Sequence, residues 1–406
     1  MKVPPLLRDL TFRRYWSGST ISMFGDQIAG IAVPLAAVLA LHARTAQMGY
    51  LTALEWLPSL LFGLHLGAWV DRIGRRRVTM ICADLGRALL FGSIPLCYAL
   101  HVMTMAQLYL VMFAAGTLSV LFFVSDATMF VSIVPPEQYV DGQSLNYGSR
   151  ALSFVGGPSI GGLLVQLVSA PVTVLADALS FLGSAFFLSR IRPAEPPPAE
   201  NDKGSILAGA RFIAGNGIVR WALIAVAVVN FFDLMFCALY LLYAVRVLHI
   251  QPGVLGLLLG VAASGGVLGA LVTKRVAARI GIGWAFIAGC LLFTTPQLLW
   301  PLAAGFSRPL TLALLFTSEF GLGFGVMMLD ISIGAIFAQV IPDTLRSRVT
   351  GAFQAVNYGT RPLGALLGGL LGSVIGLRPA LWIAAAGGIL GVVLLLASPL
   401  PRYRMP

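Results

Sequence analysis

Apolar residues in this chain neither alternate nor gather into narrow helical stripes. They run in blocks of roughly 20 or more, separated by short polar, glycine or proline turns. Such blocks can be drawn at 14–41, 47–70, 78–100, 104–133, 142–168 and 171–190, and again at 219–246, 253–277, 282–303, 308–338, 348–375 and 379–398. Each is long enough to cross a hydrocarbon core of about 30 Å. Each predicts a helix, because a bilayer offers no partner to an open strand edge. The fold class expected is an all-α membrane protein of twelve transmembrane helices.

The pattern repeats. Val70-Asp71-Arg72-Ile73-Gly74 is echoed by Ala277-Ala278-Arg279-Ile280-Gly281, 207 residues later. The same offset sets Asp26 on Asp233, Pro135 on Pro342, and Gly157-Pro158-Ser159-Ile160-Gly161-Gly162 on Gly364-Ala365-Leu366-Leu367-Gly368-Gly369. A duplicated six-helix bundle follows, and duplicated membrane bundles usually hold a site that opens to either side. The domain organisation expected is an N-terminal bundle over 1–190, a Pro-rich charged linker over 191–217 and a C-terminal bundle over 218–406. The linker's end, to Arg211 and Phe212, reads as amphipathic.

Composition supports the membrane reading: 58% of residues are hydrophobic and 11% charged, with mean hydropathy +0.88. The net charge of +11 could suggest nucleic acid. With the N-terminus in the cytoplasm, however, 20 of the 27 Lys/Arg fall on cytoplasmic helix ends, among them Arg13, Arg14, Arg72, Arg75, Arg76, Arg77, Arg279 and Arg346. Only Arg44, Arg246, Arg308 and Arg378 fall outside. This positive-inside bias places both termini in the cytoplasm and makes nucleic-acid binding unnecessary. Cys82, Cys97, Cys237 and Cys290 lie within blocks without a CxxC partner, so apolar packing is expected of them. No phosphate-cradling G-x-x-x-x-G-K-[ST] loop, H-E-x-x-H or G-x-S-x-G occurs, so neither an ATP-driven pump nor an enzyme is expected.

The loop after the second block reads Gly67-Ala-Trp-Val-Asp71-Arg72-Ile-Gly74-Arg75-Arg76-Arg77. It resembles the signature loop of the major facilitator superfamily, G-x-x-x-D-R-x-G-R-[RK]. The resemblance implies that superfamily's fold and a conformational latch in which Asp71, Arg75 and Asp126 hold an outward-open state. The fifth block carries Ser153-x-x-x-Gly157-Pro158-x-x-Gly161-Gly162, with Ser153 as the one departure from the exporter motif of drug–proton antiporters in that superfamily. With Phe12-Arg13-Arg14, Gly25-Asp26-Gln27 and Val134-Pro135-Pro136-Glu137, the chain looks like the macrolide-efflux and siderophore-exporter branch. Many drug antiporters carry an intramembrane arginine in the fourth span; Met112 stands at that position here, so its role does not carry over.

Ionisable groups at membrane depth are costly and invite a functional reading. Asp26 and Asp233 lie near the middle of their blocks and match by the repeat, which makes Asp26 the first candidate for proton coupling and Asp233 the second. Glu55 and Glu319 are further candidates to meet a cationic substrate or the proton. Asp84 and Arg87, three residues apart, are expected to neutralise each other, and Asp177 to be a helix-end acid. Arg150 and Arg361 follow matched strings, Asn146-Tyr147-Gly148-Ser149 and Asn357-Tyr358-Gly359-Thr360, offset by 211. They could bind an anion or hold the acids ionised, with Tyr147 and Tyr358 as stacking surface.

The function expected is export of a small amphipathic, drug- or macrolide-like molecule in exchange for protons, by alternating access. It would run in a bacterial cytoplasmic membrane, as a monomer, with no cofactor beyond the proton gradient. The alternatives are export of an anionic siderophore-like metabolite, a lipid flippase, or a membrane sensor that does not transport.

Overall fold

The computed structural model describes residues 5–192, 206–342 and 345–403. The helices are α1 (Leu10–Leu39), α2 (Thr45–Ile73), α3 (Arg76–Ala99), α4 (Met105–Ile133), α5 (Tyr139–Val168), α6 (Ala170–Ser189), α7 (Ile206–Gly215), α8 (Gly217–Arg246), α9 (Pro252–Ile280), α10 (Ile282–Thr294), α11 (Leu299–Leu302), α12 (Arg308–Val340), α13 (Arg346–Val374) and α14 (Leu377–Leu396). Ten helical segments among the described residues are long and apolar enough to cross a membrane by length and composition. Hydropathy locates the long helices to within a few residues. It misses one interruption: the block at 282–303 is α10, then a 3-10 turn over Thr295–Leu298, then the single turn α11. Pro296 stands at that break, where its missing N–H removes a rung of the helical ladder. Of the expected linker, residues 193–205 lie outside the described part; its amphipathic end forms α7.

The 207-residue offset is written into helix ends and turns. It separates both ends of α1 from those of α8, and both ends of α2 from those of α9. The side chain of Asp9 caps α1 by accepting from Phe12 N, and Asn216 caps α8 by accepting from Val219 N. Backbone torsions repeat as well. His42 and His249 both have φ 50°, Gly74 and Gly281 have 64° and 88°, and Ser169 and Gly376 have 119° and 91°. These are left-handed or neighbouring conformations that L side chains rarely adopt, so a turn needed in one copy is kept in the other even where the residue differs.

The chain divides into two compact units. The first comprises 1–43, 57–202 and 251–257; the second comprises 44–56, 203–250 and 258–406. The start of α2 therefore belongs with the second unit and the start of α9 with the first. In the first unit α1 packs on α5 and α6, and α3 on α4 and α6; in the second, α8 packs on α13 and α14, and α10 on α12.

Glycines set the helix seams by the same rule in both units. A β-carbon on Gly161 would lie 2.8 Å from Ile31 Cγ2 and 3.2 Å from Ile28 Cα; one on Gly368 would lie 3.1 Å from Met235 Cα. Ile28 and Met235 are themselves 207 residues apart. On the next face, a β-carbon on Gly162 would lie 2.8 Å from Gly256 Cα, and one on Gly369 would lie 2.8 Å from Gly49 Cα. The motif Gly157-Pro158-x-x-Gly161-Gly162 thus serves two neighbours at once. Gly157 and Gly161 admit α1, and Gly162 admits the start of α9, in the small-residue manner of membrane helices.

Gly161→Leu should force α1 from α5 and lower stability by about 1–3 kcal/mol. Gly148→Ala, whose β-carbon meets nothing within 4 Å, should be neutral or gain about 0.5–1 kcal/mol from helix propensity. Thermal melting in detergent distinguishes the two.

Candidate functional site

The charged side chains at membrane depth fall into one group in each unit. In the first, Asp26 is the seventeenth residue of the 30-residue α1, so it sits mid-helix. Arg87 on α3 lies 4.0 Å from Asp26 and makes a direct ion pair and hydrogen bond to Asp84 one turn earlier. Its guanidinium is sandwiched by Phe122 at 4.5 Å and Phe181 at 4.1 Å. Asp84 and Arg87 therefore pair as the i, i+3 spacing predicts, but they do not close on themselves, because Arg87 reaches α1 as well. Asp177 departs from the sequence reading. It lies two turns inside α6, fully buried, and accepts from Ser180 Oγ at 3.1 Å. Gly25 makes room for it: a β-carbon there would collide with Asp177 Oδ1 and Ser180 Oγ.

In the second unit Asp233 occupies the equivalent place in α8 and accepts from Gln297 Nε2 at 2.8 Å. Glu319 on α12 is buried and accepts from Trp300 Nε1 at 3.1 Å. Both donors come from the broken end of α10, so the interruption at Pro296 aims one donor at each acid. Sequence reasoning passed over Gln297 and Trp300; the readable signal was a proline beside a glutamine inside an apolar block. The indole of Trp300 also packs edge-on against Tyr240, with ring centres 5.4 Å apart.

Arg361 on α13 donates to Asn230 Oδ1 at 3.2 Å and lies 4.2 Å over the ring of Trp56 and 5.2 Å over that of Tyr358. The two rings stack, 6.0 Å apart and inclined by 23°. Glu55, beside Trp56, is exposed. Tyr358 thus joins an aromatic and cationic group, with Trp56 as a member that the sequence reading did not single out. The matched string in α5 has a different setting: Tyr147 is 66% exposed, and exposed Arg150 lies 5.9 Å from the Phe154 ring.

At the signature loop Gly74 turns the chain between α2 and α3, Arg72 and Arg75 are exposed, and Arg76 is buried. Arg77 donates to the carbonyls of Leu188 and Ser189, closing the C-terminal end of α6. Asp126 accepts from Tyr15 Oη at 2.7 Å. The side chain of Asp71 and the surroundings of Gly67 lie outside the described part.

Paired helical bundles with buried acids mid-helix, glycine seams and a duplicated order are the build of a secondary transporter. The family model of the Major Facilitator Superfamily matches residues 15–359 and 223–405. The chain belongs to that superfamily and is a transporter, not an enzyme. It is 28% identical to the multidrug efflux pump Tap of Mycobacterium tuberculosis (strain ATCC 25618 / H37Rv) over 386 residues, covering 87% of this chain and 85% of that one. It is 25% identical to the uncharacterized MFS-type transporter YfiS of Bacillus subtilis (strain 168), covering 96% of this chain and 93% of that one. In fold it resembles the inward-facing crystal structure of a bacterial homologue of the iron transporter ferroportin, with a TM-score of 0.76 at 16% identity over 97% of this chain and 99% of that one. It resembles the nucleoside transporter NupG equally, with a TM-score of 0.76 at 13% identity over 98% and 100% of the two chains.

Arg87→Met leaves Asp84 buried without its cation and should cost about 3–5 kcal/mol. Trp300→Phe removes the donor to Glu319 and should cost about 1–3 kcal/mol. Both are read as a fall in melting temperature of the purified protein.

Proposed function

We propose that the protein exports small amphipathic compounds, aromatic cations among them, from a bacterial cytoplasm in exchange for protons. The observation that carries the export reading is the likeness to the Tap pumps along most of both chains. Proton coupling is supported by Asp26, an acid in mid-membrane whose side chain is 40% exposed while its cation, Arg87, is buried. An acid so placed reaches water and has a counter-ion waiting for its ionised form.

In the cycle proposed, Asp26 is protonated when the transporter takes substrate from the cytoplasm. Substrate binding favours release of that proton, the two halves rock to expose the site outside, and a proton from outside resets Asp26. The Asp71–Arg75–Asp126 latch closes in the outward-open state, where Asp126 takes Arg75 beside or in place of Tyr15. Trp56 and Tyr358 offer a flat aromatic face to a planar substrate, and Asp233, Glu55 and Glu319 offer negative charge to a cationic one. Residence in the cytoplasmic membrane with both termini inside follows from the distribution of Lys and Arg, and action as a monomer is part of the same reading.

A second reading is export of an anionic metabolite. It rests on Arg361, whose Nε is buried without a hydrogen-bond partner and could serve a carboxylate or catecholate.

Everted membrane vesicles loaded by ethidium test the proposal. Uptake should rise with an imposed pH gradient and collapse when the gradient is discharged; uptake indifferent to pH removes proton antiport. Asp26→Asn should abolish the response to the gradient. Trp56→Ala should raise the KM for ethidium by about tenfold, the equivalent of the roughly 1.4 kcal/mol that a good aromatic contact contributes. Uptake of a catecholate in place of ethidium would favour the anion reading.

A further inference from the structure

Where α1, α3 and α6 meet, three acids share one buried base, Arg87; the other buried base described in this unit, Arg76, stands at the start of α3, two turns before Asp84. Arg87, 1% exposed, serves Asp84 and Asp26. Asp177 and Asp84 are wholly buried, and each has a second carboxylate oxygen without a hydrogen-bond partner. The other polar groups on the surrounding helices do not make up the deficit. Ser119 on α4 lies 3.5 Å from Arg87 Nη1, Asp126 on α4 is occupied by Tyr15, and Arg150 on α5 lies over Phe154. Three ionised carboxylates around one guanidinium would leave unmatched negative charge away from water, and buried acids in that position hold protons instead.

The second copy carries no charge at the matching positions. At the offset of 207, Asp84, Arg87, Asp177 and Ser180 are replaced by Leu291, Thr294, Ala384 and Gly387. The correspondence holds in space: Thr294 packs against Gly388 in the second unit as Arg87 packs against Phe181 in the first. The second unit therefore does without charge at the matching corner, where α10 and α14 meet less closely and Leu291 is exposed where Asp84 is buried, and the charged version in the other copy is free to serve another purpose.

We propose that Asp26, Asp84 and Asp177 form with Arg87 a single proton-holding site, in which Asp177 keeps a resident proton and Asp26 exchanges one with water. The inference rests on the antiport reading for its purpose. When Asp26 releases its proton to water, the carboxylate left behind is balanced by Arg87. Asp177, neutral behind Gly25, spares it a second anion. Asp84 holds Arg87 in reach, so Asp84, Arg87 and Asp177 act as positioning residues for the exchange at Asp26.

Infrared difference spectra of the full-length protein in lipid nanodiscs at neutral pH test this without transport. The wild type should show the carbonyl stretch of buried protonated carboxyl groups, and Asp177→Asn should lose a component of that band while melting at the same temperature. An undiminished band in Asp177→Asn overturns the proposal. A triple variant, Asp84→Leu with Arg87→Thr and Asp177→Ala, copies the second unit and should fold. It should lose the dependence of ethidium uptake on pH; a pH profile like that of the wild type overturns the proposal. Wild-type vesicles in which no pH gradient moves ethidium would end the antiport reading instead, with the infrared comparison still deciding the resident proton.

Discussion

In hydrocarbon a charged or polar group must find its partner within the protein, and that constraint orders the rest of this structure. Arg87 is covered by two phenyl rings and tied to Asp84. Asp233 and Glu319 each take one donor from the broken end of α10. Arg77 spends its donors on the last carbonyls of α6. Around these fixed pairs several helix seams close by glycine, where close backbone approach gives a contact that lipid tails cannot match.

Duplication supplies the scaffold, and divergence supplies the chemistry. Caps, turns and glycine seams recur at one offset, from Asp9 and Asn216 to Gly162 and Gly369. The polar residues do not. The first copy carries Asp84, Arg87 and Asp177 between α3 and α6; the second carries a helix break with Gln297 and Trp300. Asp26 and Asp233 are the shared element, mid-helix in α1 and α8 and each served by a different partner.

Most of the fold was legible because it rests on two local signals, block length and repeat offset, that need no knowledge of contacts. The same holds for Pro158 and its glycines, whose pattern announces a tight seam. The partners of the acids were harder to read. Asp177 looked like a helix-end residue because sequence shows depth along a helix but not which neighbour the side chain meets, and the space opened by Gly25 becomes visible only in three dimensions. Trp56 was not singled out, since nothing in one sequence ties it to Arg361, 305 positions further on. The break in α10 falls in a short polar run, Thr294-Thr295-Pro296-Gln297, that the apolar residues on either side outweigh over a span-length window.

That break has a mechanical meaning. An unbroken helix transmits a push along its whole length, whereas a ladder with a missing rung lets its two parts tilt separately. Gln297 and Trp300 ride on the short outer part, and each grips an acid on another helix. A change of charge on Asp233 or Glu319 would therefore be felt first as a tug on a few residues with little stiffness of their own. The second copy is in this sense a lever with a joint already cut into it, while in the first α3 runs as one helix from Arg76 to Ala99, with its proline, Pro95, only in the last turn and a half, beyond Asp84 and Arg87.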